Sequence, residues 1–391
     1  MQRPLSVLLS NISAHLLPLL SSPQFEATTL GQQQTCLNPT QLHAVGLATL
    51  AEEVLETFDQ LGLGQEIGGR SDGLKVTREG LLNLVTRVVN PLISSIQSEL
   101  LPLIDGLEKP SPIGRSGSGL NPRVTKTSTP HPSIVALHAV VPQYAKVLAK
   151  IATFDAAQSN LGAMLIAFVW HGLLALAYRP STSGSPPPSP KPTPATAKPK
   201  VVSSPTPPAS PSPRFMTMLP QSRPSTPPNH QAGSSLPGDA RALLDILGLI
   251  TKPPKDKTAG LLASEAVDEA FAALESLVHL FEFIHTNPHP ETVPSFEAEL
   301  KVVTDDLPTL IGLPILLRAY VGGDSPSVAA MLANPMTEES YRADCLTGFN
   351  RADQCEDVVG KRAICTLRNT SGTLGATMVA NWLESQIRDV R

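Results

Sequence analysis

Apolar residues along this chain recur at the three-to-four-residue spacing of a helix, and the alternation of a half-buried strand is nearly absent. The stretch NPTQLHAVGLATLAEEVLETFDQLGLG, from Asn38 to Gly64, shows the pattern with its punctuation. Asn38 is placed to cap a helix and Pro39 suits its first position. Leu47, Ala51, Val54, Phe58 and Leu61 then step by four and three until Gly62 and Gly64 stop the run. A second helical stretch follows from Val76, with a kink or break expected near Pro91 and again near Pro102. Residues 106–132 read as a polar loop. One long helix is then expected from Ser133 to Tyr178, amphipathic at first and apolar all round later.

Helical spacing resumes after a proline-rich interval. SEAVDEAFAALESLVHLFEFIHT is the clearest case, with Ser264 as the expected cap and Val267, Phe271, Leu274, Val278 and Phe281 as the buried stripe. Further helices are expected over 296–306, 308–320, 326–333, 338–346, 352–367 and 374–390. Ser325-Pro326 and Thr337-Glu338-Glu339 mark two of the starts. The fold class is therefore all-α, as one large helical bundle or two apposed ones. Residues 1–178 form the N-terminal helical region and 239–391 the C-terminal one.

Composition explains what separates them. The chain has 39 prolines, and 18 of them fall between 180 and 237 among Ser, Thr, Ala and Lys. Such a stretch buries too little apolar surface to offset the entropy of ordering it, so residues 179–238 are expected to be a disordered linker. Charge separates the regions as well. Residues 179–238 carry Arg179, Lys191, Lys198, Lys200, Arg214 and Arg223 with no acid, whereas the whole chain has a net charge of −4. A basic tether is thus joined to an acidic body.

The apolar run from Ala156 to Tyr178 raises a membrane question, because its length suffices to cross a bilayer. Its Leu, Ile, Phe and Val side chains offer about −2 to −5 kcal/mol on an insertion scale. Gln158, Ser159, Asn160 and His171 oppose this, and the upstream amphipathic pattern continues into the run as in the central helix of a bundle. The reading is a buried helix, with a membrane span or an interfacial anchor as the alternatives.

Signatures of chemistry are sparse. GRSDG, from Gly69 to Gly73, fits the G-x-S-x-G elbow in letters, but that motif needs a strand-to-helix turn, so Ser71 reads as part of a turn. His279, Glu282 and His285 are spaced H-x-x-E-x-x-H. Steps of three spread the two histidines about 120° apart on a helix, which grips one metal poorly. Cys345, Cys355 and Cys365 match no zinc spacing and read, with Cys36, as reduced core thiols. The leucine-rich N-terminus is interrupted by Asn11, Ser13, His15 and Pro18, unlike a secretory signal. No catalytic, cofactor or metal site is expected, and a cytoplasmic location is.

The linker carries the one regulatory signal. Ser185, Ser189, Thr193, Ser204, Thr206, Ser210, Ser212 and Thr226 each precede proline, as a proline-directed kinase requires. Each phosphate adds about −1.5 to −2 charges, so four would neutralise or reverse the tether. Phe215, Met216, Met218 and Leu219 form its only apolar cluster, a candidate short linear motif. Nucleic acid is not an expected partner, because the basic residues lack interleaved aromatics. The expected function is non-enzymatic: a helical scaffold or regulatory protein that binds other proteins through its helices. A lipid-binding or membrane-associated helical protein is the alternative.

Overall fold

Asn38 does cap the first long helix. Its Oδ1 accepts the Gln41 N–H at 2.8 Å while the Gln41 side chain accepts the Asn38 N–H at 2.8 Å, a reciprocal capping box. The computed structural model describes residues 37–62, 72–110, 130–180, 235–255, 258–290, 295–322, 327–332, 336–370 and 373–389, with a few isolated positions between 7 and 18. Among the described residues there are twelve long or short α-helices and no strand.

Helix α1 (Pro39–Gln60) buries Ala44, Val45, Ala48, Ala51, Leu55 and Phe58, whereas Leu47 and Val54 are only partly covered and Leu61 is 65% exposed. The buried face is thus turned by one position from the expected stripe. Its alanines let α2 (Asp72–Asp105) come close. Helix α2 is 34 residues long and runs through Pro91 and Pro102 without a break. An interior proline costs about 3 kcal/mol. Burying Leu92, Ile93, Ile96, Leu100 and Ile104 along the same helix returns about 1.5–3 kcal/mol each. Packing decides the outcome.

The single helix expected over 133–178 is two. Helix α3 (Pro132–Ile151) ends, the chain turns over Ala152–Phe154, and α4 (Asp155–Tyr178) begins. A carboxylate from α1 explains the new start: Glu52 Oε1 accepts the Asp155 N–H at 2.7 Å, meeting a donor that the first turn of α4 leaves open.

Helix α4 is the axis of the molecule. It packs along α2 on one side and α6 (Thr258–Thr286) on another, and touches α5 (Leu236–Leu247) and α8 (Thr309–Leu316). Leu161, Leu165, Phe168, Val169, Leu173 and Leu176 are completely buried. A Cβ at Gly162 would stand 3.0 Å from that of Ala263, so the glycine sets how closely α4 and α6 approach. The apolar run is thus clothed by protein, which favours the buried reading of it.

Helix α6 begins at Thr258, and Ser264, the expected cap, lies buried inside it. The predicted stripe is buried, joined by Ala270, Ala273, Leu277 and Leu280. Beyond it come α7 (Phe296–Val303), α8 with a π turn over Leu317–Val321, α9 (Val328–Met331), α10 (Glu338–Cys345), α11 (Phe349–Thr370) and α12 (Leu374–Asp389). Ser327 rather than Ser325 caps α9, and Thr337 caps α10 as expected. One apolar core runs unbroken from α1 to α12, so the two helical regions are apposed along α4.

Candidate functional site at the base of the proline-rich segment

The last described residues before the proline-rich segment are Arg179 and Pro180, and the first after it is Ser235. Ser235 caps α5 by accepting the Gly238 N–H at 3.3 Å, which puts Asp239 in the first turn of that helix, where the dipole favours an acid. The Asp239 carboxylate meets the Arg179 guanidinium at 2.5 Å. Both side chains are almost completely buried, at 5% and 3% exposure. The ends of a long excursion are thereby tied by one desolvated ion pair.

The pair has further partners. The second carboxylate oxygen of Asp239 accepts the backbone N–H of His131 at 3.1 Å. The His131 ring is fixed in one tautomer: its Nδ1 accepts the Ser133 N–H at 3.2 Å, capping α3, and its Nε2–H donates to the Lys109 carbonyl at 3.1 Å. Lys109 and His131 bracket residues 111–129, so that segment also leaves and returns at one place. Burial and the nearby Arg179 guanidinium hold the His131 pKa below its ordinary value, against the pull of the Lys109 carbonyl and Asp239.

The C-terminus of α4 is held from a third direction. Arg318, on the π turn after α8, donates to the Arg179 carbonyl at 2.7 Å and to the Ala177 carbonyl. These are among the orphan acceptors of a helix end, and a half-buried cation suits them. Arg342 of α10 forks onto Glu108 at 2.9 and 3.0 Å and lies 3.9 Å from the centre of the Tyr178 ring. Burial, with the Glu338 carboxylate beside it, pushes the Tyr178 hydroxyl well above its usual range. Five elements therefore converge on the roots of both segments. Chemically this is a clamp, which holds charges and carbonyls in place.

Of the residues singled out in the sequence, Ser71, the eight Ser/Thr-Pro positions and the Phe215, Met216, Met218 and Leu219 cluster lie outside the described residues. His279 and His285 are exposed on α6, and Glu282 between them is taken by Arg241 at 2.7 Å. Among the described residues no three His, Cys, Asp or Glu side chains are grouped to hold a metal. Cys345 is a buried core thiol as expected, but Cys355 is half-buried and Cys365 exposed.

The clamp residues were not legible beforehand. Arg179 reads from the sequence only as the first basic residue of the linker, and Asp239 is not singled out, although it is the first acid after Asp155. The linker drawn at 179–238 also takes in Arg179 and Leu236–Gly238, which are part of the folded body. An open groove of about 510 Å³ lies elsewhere, between α7 and α12, walled by Phe296, Leu374 and Met378. No protein-family model, curated protein or solved structure matches the chain.

Proposed function

We propose that this is a non-enzymatic helical scaffold or regulatory protein in which phosphorylation of the proline-rich segment tunes the binding of other proteins. The observation that supports this reading most is the buried Arg179–Asp239 pair. It lets a segment rich in Ser-Pro and Thr-Pro begin and end at one point on a rigid body, so a change in its charge need not unfold anything. Four phosphates would take the basic stretch to neutral or negative and weaken its attraction to an acidic surface. A proline-directed kinase is the implied enzyme.

Mass spectrometry of the protein from growing and arrested cells tests this. Phosphate on several of Ser185, Ser189, Thr193, Ser204, Thr206, Ser210, Ser212 and Thr226 is expected, with a set of bound proteins that changes on phosphatase treatment. A segment free of phosphate under every condition removes the regulatory part.

A second reading, a lipid-binding or membrane-associated protein, is favoured by one observation: α3 and α4 are each long and apolar enough to cross a bilayer. Carbonate extraction and lipid co-purification together separate the two, since a protein that carbonate releases and that carries no lipid leaves only the first.

A further inference from the structure

Two cysteines meet where α10 turns into α11. Cys345 is the last residue of α10 and Cys355 stands in the second turn of α11. The chain reverses over Leu346–Gly348, and Trp170 of α4 pins that reversal. Its indole N–H donates to the Leu346 carbonyl at 3.0 Å, and its ring centre lies 4.5 Å from that of Phe349. Cys355 Sγ lies 3.9 Å from the Asp344 carbonyl oxygen, the peptide group that carries Cys345. Cys355 Sγ is thus set against the backbone of Cys345, and its thiol is one cause that raises the Cys345 pKa. Arg351 donates to the same carbonyl at 2.8 Å, which places a cation beside the pair.

The thiols are inequivalent. Cys345 is 7% exposed, and Cys355 keeps a solvent-facing side. Cys365, ten residues on, is exposed, more than two helical turns past Cys355 on α11.

We propose that Cys345 and Cys355 are a thiol pair that closes into a reversible disulfide by exchange with a low-molecular-weight disulfide such as glutathione disulfide. Cys355 reacts first because it is the accessible one. Its thiolate attacks one glutathione sulfur, the S–S bond of glutathione disulfide breaks, and one glutathione leaves and takes up the proton that Cys355 gave up. Cys345 then loses its proton and attacks the Cys355 sulfur, which expels the second glutathione to be protonated in turn. Two protein thiols are oxidised to one disulfide and one glutathione disulfide is reduced to two glutathiones. Burial and the neighbouring thiol hold the Cys345 pKa up to about 11, so the second step is slow at neutral pH and quickens as pH rises.

The bond would tie α10 to α11. Helix α10 carries Arg342, which holds Glu108 and covers Tyr178 at the end of α4. Oxidation would therefore stiffen one of the elements that grip the roots of the proline-rich segment.

Incubating the full chain with glutathione disulfide, blocking free thiols and mapping digested peptides by mass tests the pair. The expected product is a Cys345–Cys355 link, two hydrogens lighter than the reduced chain and undone by a reductant. In Cys345→Ser, Cys355 should be left as a lasting mixed disulfide with glutathione. In Cys355→Ser, Cys345 should stay unmodified, and Cys365→Ser should leave the link unchanged. Glutathione retained on Cys355 of the unaltered chain, or a link that recruits Cys365 or Cys36, would overturn the proposal.

Discussion

Helices α3 and α4 are neighbours in the chain, and both are long and apolar enough to pass for membrane spans, yet the fold uses them differently. Helix α4 is buried over 67% of its most apolar window and α3 over 39% of its own, because α4 is the axis and α3 a flank. Helix α3 therefore keeps a one-sided stripe, Ile134, Leu137, Val141, Tyr144, Leu148 and Ile151, with Val135 left 54% exposed. Helix α4 has almost no polar face to keep. Its polar side chains are handled one by one: Asn160 bonds Asn90 at 2.6 Å and His171 bonds Asp105 at 2.7 Å. Apolar composition says that a helix is covered; what covers it depends on neighbours far away in sequence.

That contrast can be broken at α4 first. Phe168→Ala, which empties a completely buried site, is expected to cost about 3–5 kcal/mol in urea unfolding. A loss below about 1 kcal/mol would mean that the α4 core is not packed as described. Arg179→Ala strands Asp239 and should cost about 3–5 kcal/mol as well. Replacing the pair together, as Arg179→Met with Asp239→Leu, should recover part of that loss, because desolvation cancels much of a buried pair's attraction while the His131 N–H loses its acceptor. If the double variant is as unstable as the single one, the pair's geometry matters more than its charge.

On α3 the effects shrink. The Tyr144 hydroxyl donates to Glu99 and is the flank's main polar anchor, so Tyr144→Phe is expected to cost about 1.5–3 kcal/mol. His131, which caps α3, should make stability depend on pH. Its folded pKa lies below the ordinary 6.5, so as pH falls through 6.5 the unfolded chain takes up the proton first. The contribution is thus complete above that pH and lost below it, until the folded form also protonates. His131→Asn, a cap that does not titrate, should flatten the unfolding profile there; an unchanged slope would assign it to another group. Val135→Ala should stay within about 0.5 kcal/mol of the parent chain.

Much of the helical layout could be read from residue order. The Asn38 and Thr337 caps and the stripe from Val267 to Phe281 stand as the spacing implies. Two local readings failed for a common reason, and a third held only short of a break at Pro91 and Pro102 in α2. Ser264 does not start α6, and the 133–178 helix divides at Ala152–Phe154. In each, contacts made after folding outweigh a preference worth a few kcal/mol at most.

Residue order alone determined that this chain is helical, which stretches coil, and where the prolines and basic residues collect. Those properties depend on neighbours within about one helical turn, where the 3.6-residue repeat and the caps act. Tertiary structure alone decided that Arg179 meets Asp239 sixty positions on, that Glu52 caps a helix 103 positions away and that Arg342 reaches back to Glu108. A charge or a cap is satisfied by whichever group packing brings to it, and that group can come from anywhere in the chain.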